Sequence, residues 1–246
     1  MPKISVVMPV FNVEKNVLLA STESILKQSF KDIELIICDD GSTNVNTKRA
    51  LQEISKLDSR IKVLGYKVNH GQAFARNKCI ETAQGQYVAF QDSDDISEPN
   101  RLEEEYVFLR EHTEYGFVGS IGNVFEKNKV WGRFNVPERP IKNDFLWNSP
   151  FLNPSMLFKT DVLKKVHGFK VSKETLRAED YDLFFRLYAA GYKGYNIQHA
   201  LVNYRIDIQN EKHKKYRPMS DRINEAKVRY SGFKSLNLGL KSIPYV

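Results

Sequence analysis

Asp92, Ser93, Asp94 and Asp95 place three carboxylates within four residues, directly after the apolar run Tyr87–Phe90. Like charges this close repel one another, and burial raises the cost. A divalent cation relieves that repulsion. Hard oxygen ligands suit Mg2+ or Mn2+, which commonly bind through one or two carboxylates together with substrate phosphates. An acidic turn of this composition also serves simply as a solvated cap on the helix after Pro99. Its place at the end of an apolar run favours the metal. Asp39-Asp40-Gly41-Ser42 follows another apolar run and consists of turn-formers. Beside a metal–diphosphate site, a carboxylate there can instead accept a hydrogen bond from the N3–H of a uracil ring. Neither G-x-x-x-x-G-K-[ST] nor G-x-G-x-x-G occurs, so a glycine-rich phosphate loop is not expected.

The second half supplies Glu179-Asp180. Asp180, Leu183, Phe184 and Leu187 fall at i, i+3, i+4 and i+7, on one face of a helix. A carboxylate in that first turn stabilises the helix dipole. Aimed along the buried side and partly desolvated, it is also what a general base requires. On this reading Glu179 and Asp182 lean outward as surface acids, and Arg186 pairs with Asp182 at i, i+4. Gly71 and Ala75 permit close helix–sheet packing. Arg76 sits on a mostly apolar helix, where it pairs with a site carboxylate or a phosphate, or snorkels to solvent. The five histidines are scattered without metal-ligand spacing, and no G-x-S-x-G or Cys/His pairing supports a covalent nucleophile.

These residues need a scaffold that brings them to one edge. Four apolar runs, Ile4–Met8, Ile33–Cys38, Ile61–Gly65 and Tyr87–Phe90, alternate with helix-like stretches at about 16–28, 45–57 and 71–83. The continuous apolarity of Ile33–Cys38 marks a strand buried on both faces. The alternation predicts right-handed βαβ units and an α/β fold with an open, mostly parallel sheet. In such sheets ligands bind outside the carboxyl ends of the strands. There the sequence places Pro9-Val10-Phe11-Asn12, Asp39–Ser42, Asn69-His70-Gly71 and Asp92–Asp95. Further on we expect a helix at about 99–111, a strand at Gly116–Phe125 and an irregular stretch at Lys127–Pro150. Phe151–Phe158 leads to a short helix at Asp161–Val166, and a last one runs from Glu179 to Ala190 before Gly191.

The ordered set Ile4–Asn12, Ser24–Phe30, Glu34–Ser42, Ala75-Arg76-Asn77, Gly85–Phe90 with Asp92–Asp95, and Glu179–Leu183 resembles the family 2 glycosyltransferases of the GT-A fold. These are bacterial enzymes that build capsule, O-antigen and other surface glycans. The likeness covers about 1–206. It implies a nucleotide-sugar-binding half (1–98) and an acceptor-binding half (99–206). It further implies an inverting, metal-assisted transfer from a UDP-sugar to a glycan or lipid-linked acceptor, with Mn2+ or Mg2+ as cofactor. Carried over residue by residue, Asp40 faces the uracil while Pro9 and Phe11 line the base pocket. Asn12, Gly71, Arg76 and Ser93 join the nucleotide site. Asp92, Asp94 and Asp95 are the candidate metal ligands, and Asp180 is the base that deprotonates the acceptor. Glu179 and Trp147 are candidates for acceptor contact or support. Trp131 and the stretch Asn148–Asn153 are candidates for sugar choice. Gln91 departs from the family pattern, which more usually has an apolar residue before the cluster. The Q-x-x-R-W element of processive members is absent, which implies single additions.

The 246 residues carry a net charge of +7, unevenly spread. Residues 205–246 hold ten Lys/Arg against four Asp/Glu. We expect 207–246 to be a basic helical appendage, with anionic membrane contact as its candidate use. Nucleic-acid binding through this tail lacks a recognised module. A sugar nucleotidyltransferase would need a glycine-rich basic loop after the first strand, where Val10–Glu14 stands instead. No apolar run is long enough to span a bilayer. Cys38 and Cys79 lie in apolar stretches and suit a reducing compartment, so the expected location is cytoplasmic or peripheral on the inner membrane face.

Overall fold

The structure, a computed structural model, describes residues 1–126, 129–206 and 218–245. β1 (Ile4–Val10), α1 (Lys15–Leu26), β2 (Ile33–Asp40), α2 (Val45–Ile54), β3 (Ile61–Tyr66), α3 (Gln72–Thr82) and β4 (Tyr87–Phe90) form the expected βαβ succession. All seven residues of β1 are buried. Helices on both faces explain why β1 and β2 read as continuous apolar runs. The strands β3, β2, β1 and β4 lie side by side in that order, all parallel. Their carboxyl ends therefore open at one edge, and Val10, Asp39, Asp40 and Phe90 stand at it.

Beyond β4 the sheet becomes mixed. After β5 (Ile96–Ser97) and α4 (Arg101–Glu111) come β6 (Phe117–Glu126), β7 (Lys129–Phe134), β8 (Leu157–Lys159), α5 (Thr160–Lys165), α6 (Glu179–Ala189) and β9 (Gly194–Arg205). β8 pairs antiparallel with β4 and with β6, whereas β6 and β9 run parallel. The described residues thus form one nine-stranded sheet.

Four strands have no counterpart in the sequence reading, and two of them, β5 and β8, are only two and three residues long. β7 occupies part of the stretch expected to be irregular; Val130 and Phe134 share a face, but its residues are mostly exposed, and pairing with β6 defines it. β9 escapes the period-two pattern because its register against β6 jumps from Ser120↔Ile197 to Ile121↔Ala200 and again to Gly122↔Val202, so that Gln198, His199 and Leu201 are extra and the alternation changes phase.

The carboxyl-terminal region is not a loose appendage. Residues 207–217 lie outside the described residues, but α7 (Met219–Ser235) packs on α6. Val228, Phe233 and Leu236 are buried in the same apolar cluster as Phe184 and Phe185. A Cβ at Gly232 would stand 2.3 Å from the Phe185 ring, so glycine sets the helix–helix approach. Cys38 and Cys79 are buried and unpaired. No helix among the described residues is long and apolar enough to cross a membrane.

Candidate active site

Two cavities open at the carboxyl edge of the parallel strands. The first, about 720 Å3, is lined by Pro9, Phe11, Asp40, Gly71, Ser93 and Asp94, among others. The second, about 300 Å3, is lined by Arg76, Asn148, Ser149, Asn153, Glu179 and Asp180, among others. Gln72, Asp92, Arg177 and Tyr204 border both, so the two spaces meet along one wall.

In the first cavity Asp40 is nearly inaccessible, and its carboxylate accepts hydrogen bonds from the backbone N–H of His70 (3.0 Å) and Gly71 (2.7 Å). Gly71 supplies that amide from φ +97, a conformation other residues rarely adopt. The acid is therefore a fixed acceptor at the cavity wall. Asn12 does not line either cavity. Its Oδ1 accepts from the N–H of Thr43 (2.8 Å) and of Asn44 (2.9 Å), so it ties β1 to the loop after β2.

Asp92 receives a hydrogen-bonded ion pair from buried Arg76, whose guanidinium also lies over the Phe169 ring at 5.4 Å. Of the uses open to Arg76, the pairing with a carboxylate is the one seen, and its burial excludes snorkelling to solvent. Asp94 keeps contact with solvent through the cavity, yet protein surrounds it closely. Burial, then the charge of Asp92, pushes its carboxyl up to about 6. Asp95, the third candidate metal ligand, is set back from the cavities, with its Oδ2 buried and without a partner. It is 1% exposed and lines neither cavity, and its Oδ1 accepts the Arg205 N–H at 2.8 Å. Burial and the neighbouring acids push it up as well.

Among the described residues no three His, Cys, Asp or Glu side chains converge as a ready cation cage. Asp92 and Asp94 on one wall, with Asp94 destabilised by its neighbour's charge, still fit a divalent ion whose remaining ligands are phosphate oxygens and water.

In the second cavity Asp180 stands in the first turn of α6, with Oδ1 accepting the Tyr181 N–H at 2.8 Å. Burial, then the charge of Glu179, pushes it up to about 6. Leu183, Phe184 and Leu187 on the same face are fully buried, as the spacing predicts. Arg186 donates to Asp182 at 2.7 Å, also as predicted. Glu179 is a correction: it faces the cavity rather than bulk solvent, and its Oε2 is buried without a hydrogen-bond partner. Asn153 Oδ1 is buried and unpartnered as well. Buried acceptors left unmade are costly, so these two oxygens are suited to donors carried by a ligand.

Trp147 is 74% exposed and packs on Tyr245, and Trp131 is exposed on β7; neither lines the two cavities. The stretch Asn148–Asn153, in contrast, is part of the second wall. Sequence reasoning missed Arg177, Tyr204 and Arg205. The last two belong to β9, whose pattern is broken. Arg177 adopts φ +71, unusual for a residue with a side chain, and no local motif announces it.

The residues 5–166 match the family model described as glycosyl transferase family 2. The chain belongs to the family 2 glycosyltransferases. EpsE of Bacillus subtilis (strain 168), provisionally named as a glycosyltransferase, is 35% identical over 245 residues, covering 100% of this chain and 87% of its own length. The Escherichia coli O-antigen biosynthesis glycosyltransferase WbnJ is 32% identical over 208 residues, covering 82% of this chain and 79% of its own. Among solved structures, Staphylococcus aureus TarS residues 1–349 in complex with UDP-GlcNAc superposes with a TM-score of 0.73 at 22% identity. That match covers 95% of this glycosyltransferase and 66% of the TarS chain. The GT-A architecture is thus shared.

Proposed function

We propose that this glycosyltransferase moves a sugar from a UDP-sugar to a hydroxyl of a glycan or lipid-linked glycan, with inversion, in the synthesis of a surface polysaccharide. The observation that carries this reading is the junction of the two cavities at Asp92, with Asp40 on one side and Asp180 on the other. The nucleotide of the TarS complex and the O-antigen role in WbnJ's name support the donor and the pathway class.

In this reading Asp40 accepts the uracil N3–H, Pro9 and Phe11 flank the base, and Ser93 and Asp94 reach the ribose and diphosphate. Asp92 and Asp94 would hold a divalent cation, which when bound supplies positive charge against the departing diphosphate. Glu179 and Asn153 accept hydrogen bonds from sugar hydroxyls in the second cavity. Asp180, ionised at neutral pH, accepts the proton of the acceptor hydroxyl. The hydroxyl oxygen forms its bond to the anomeric carbon as the bond to the β-phosphate oxygen breaks. The diphosphate leaves with that electron pair.

Asp180→Asn should bind UDP as the parent does and transfer nothing measurable. Loss of UDP binding would make Asp180 structural. EDTA should abolish transfer and Mn2+ restore it, and indifference to the chelator would remove the metal from Asp92 and Asp94. A hydrolysis screen of UDP-, GDP- and dTDP-sugars tests the base assignment. We also place the enzyme in the cytoplasm, with its basic region 207–246 against anionic lipid. Vesicle flotation should then weaken as salt rises, whereas salt-independent binding would indicate an apolar anchor.

A further inference from the structure

Gln91, the departure from the family pattern, is wholly buried. Its Nε2 donates to the carbonyl of Asp92 (3.2 Å), the carbonyl of Asp95 (2.9 Å) and Ser21 Oγ (3.1 Å). Its Oε1 accepts from Ser97 Oγ (2.6 Å) and Arg101 Nη1 (3.1 Å). Exchanging the amide's oxygen and nitrogen would face acceptor to acceptor on one side and donor to donor on the other, so the network fixes its orientation. Arg101 is itself fully buried and anchored: Nη2 donates to the Phe90 carbonyl at 2.8 Å and Nε to Glu105 at 3.0 Å. Ser21 Oγ adds a second grip on the Asp92 carbonyl at 2.9 Å. One side chain thus clasps both ends of the four-residue loop and ties them to α1, β4 and α4. An apolar residue could fill the space but hold neither carbonyl.

We propose that Gln91 is a positioning residue for the donor site, clamping the 92–95 loop so that Asp92 and Asp94 present their carboxylates at one fixed spacing. The inference rests on the reading of Asp92 and Asp94 as diphosphate and cation ligands. Preorganisation of this kind raises affinity by removing the cost of ordering the loop on binding. It predicts weaker binding of the diphosphate portion without change at the base.

Gln91→Glu tests it. The substitution keeps the shape and the acceptor toward Ser97 and Arg101 but turns an oxygen on the two loop carbonyls. Three measurements decide the matter: amide hydrogen exchange of the 91–97 segment, affinity for UDP with Mn2+, and affinity for UMP. We expect exchange to quicken and UDP binding to weaken about tenfold, equivalent to ~1.4 kcal/mol, with UMP, which lacks the β-phosphate, weakened distinctly less. Unaltered exchange in a folded variant overturns the proposal, and so does an equal loss of UDP and UMP affinity. If Gln91→Glu does not fold, Ser21→Ala removes one grip on the Asp92 carbonyl while favouring its helix, and must move exchange and UDP affinity in the same directions. Exchange also separates the two ideas: a parent chain that binds no nucleoside diphosphate sinks the donor reading, while unaltered exchange sinks the clamp.

Discussion

Asp180 owes its character to its surroundings more than to its type. A carboxylate in the first turn of α6 gains from the helix dipole, yet burial and Glu179 outweigh that gain and push it up to about 6. A base must be ionised to accept a proton. Turnover should therefore fall as pH drops through about 6, approaching tenfold per pH unit. Glu179→Gln removes one of the two causes that raise Asp180, so the acid limb of the kcat–pH profile should move to lower pH, whatever the change in plateau height. A limb that stays put, or moves up, would mean that Asp180 does not feel Glu179. Helical spacing made Asp180 legible, since the face it shares with Leu183 and Phe184 is a property of the local chain. Glu179 was not legible for the opposite reason. Its surroundings include Lys170, Ser172 and Leu176 of the preceding loop, and periodicity carries no information about what a loop will cover. The orphan oxygen of Asn153 is hidden in the same way, because its cavity is closed by residues distant in sequence.

At the scale of elements, the parallel strands β1, β2 and β4 were readable because continuous apolar runs admit only an interior place, whereas edge strand β3 is mostly unburied. The lower end of this sheet depends on one close approach. Gly85 donates its N–H to Ser5 Oγ at 2.8 Å, and a Cβ there would stand 2.7 Å from the Ser5 backbone nitrogen. Ser5 Oγ in turn donates to buried Glu34 at 2.6 Å. Gly85→Ala must therefore part β1 from the turn into β4, at a cost of about 1–3 kcal/mol. For a chain of this length each kcal/mol lowers the melting temperature by about 2–4 °C, which thermal denaturation can read. An unchanged melting temperature would show that β1 and β4 yield without strain. β7 and β9 were illegible because their identity comes from the neighbour. β7 sets Val130 and Phe134 on one side, but it is short and mostly exposed, and the three extra residues of β9 put its halves out of phase.

For the whole molecule, the family likeness ended at about 206 and the charge of the rest set it apart, yet the packing does not follow that division. α7 is basic outside and apolar where it meets α6, so Val228, Phe233 and Leu236 complete the core beneath the helix that carries Asp180. A net charge reports the surface of a segment and is silent about its buried side. The arrangement of the two cavities has a further consequence, this time for the order of events. Gln72, Asp92, Arg177 and Tyr204 form a shared border, so a sugar attached to a seated nucleotide must itself become part of the acceptor's wall. An acceptor arriving first would find that wall missing and would obstruct the passage of the sugar. The steady-state scheme should be compulsory-order, with the donor on first and the nucleotide off last. UDP should then inhibit competitively against the donor and non-competitively against the acceptor at subsaturating donor. Competition of UDP with the acceptor would mean that the second cavity fills independently of the first.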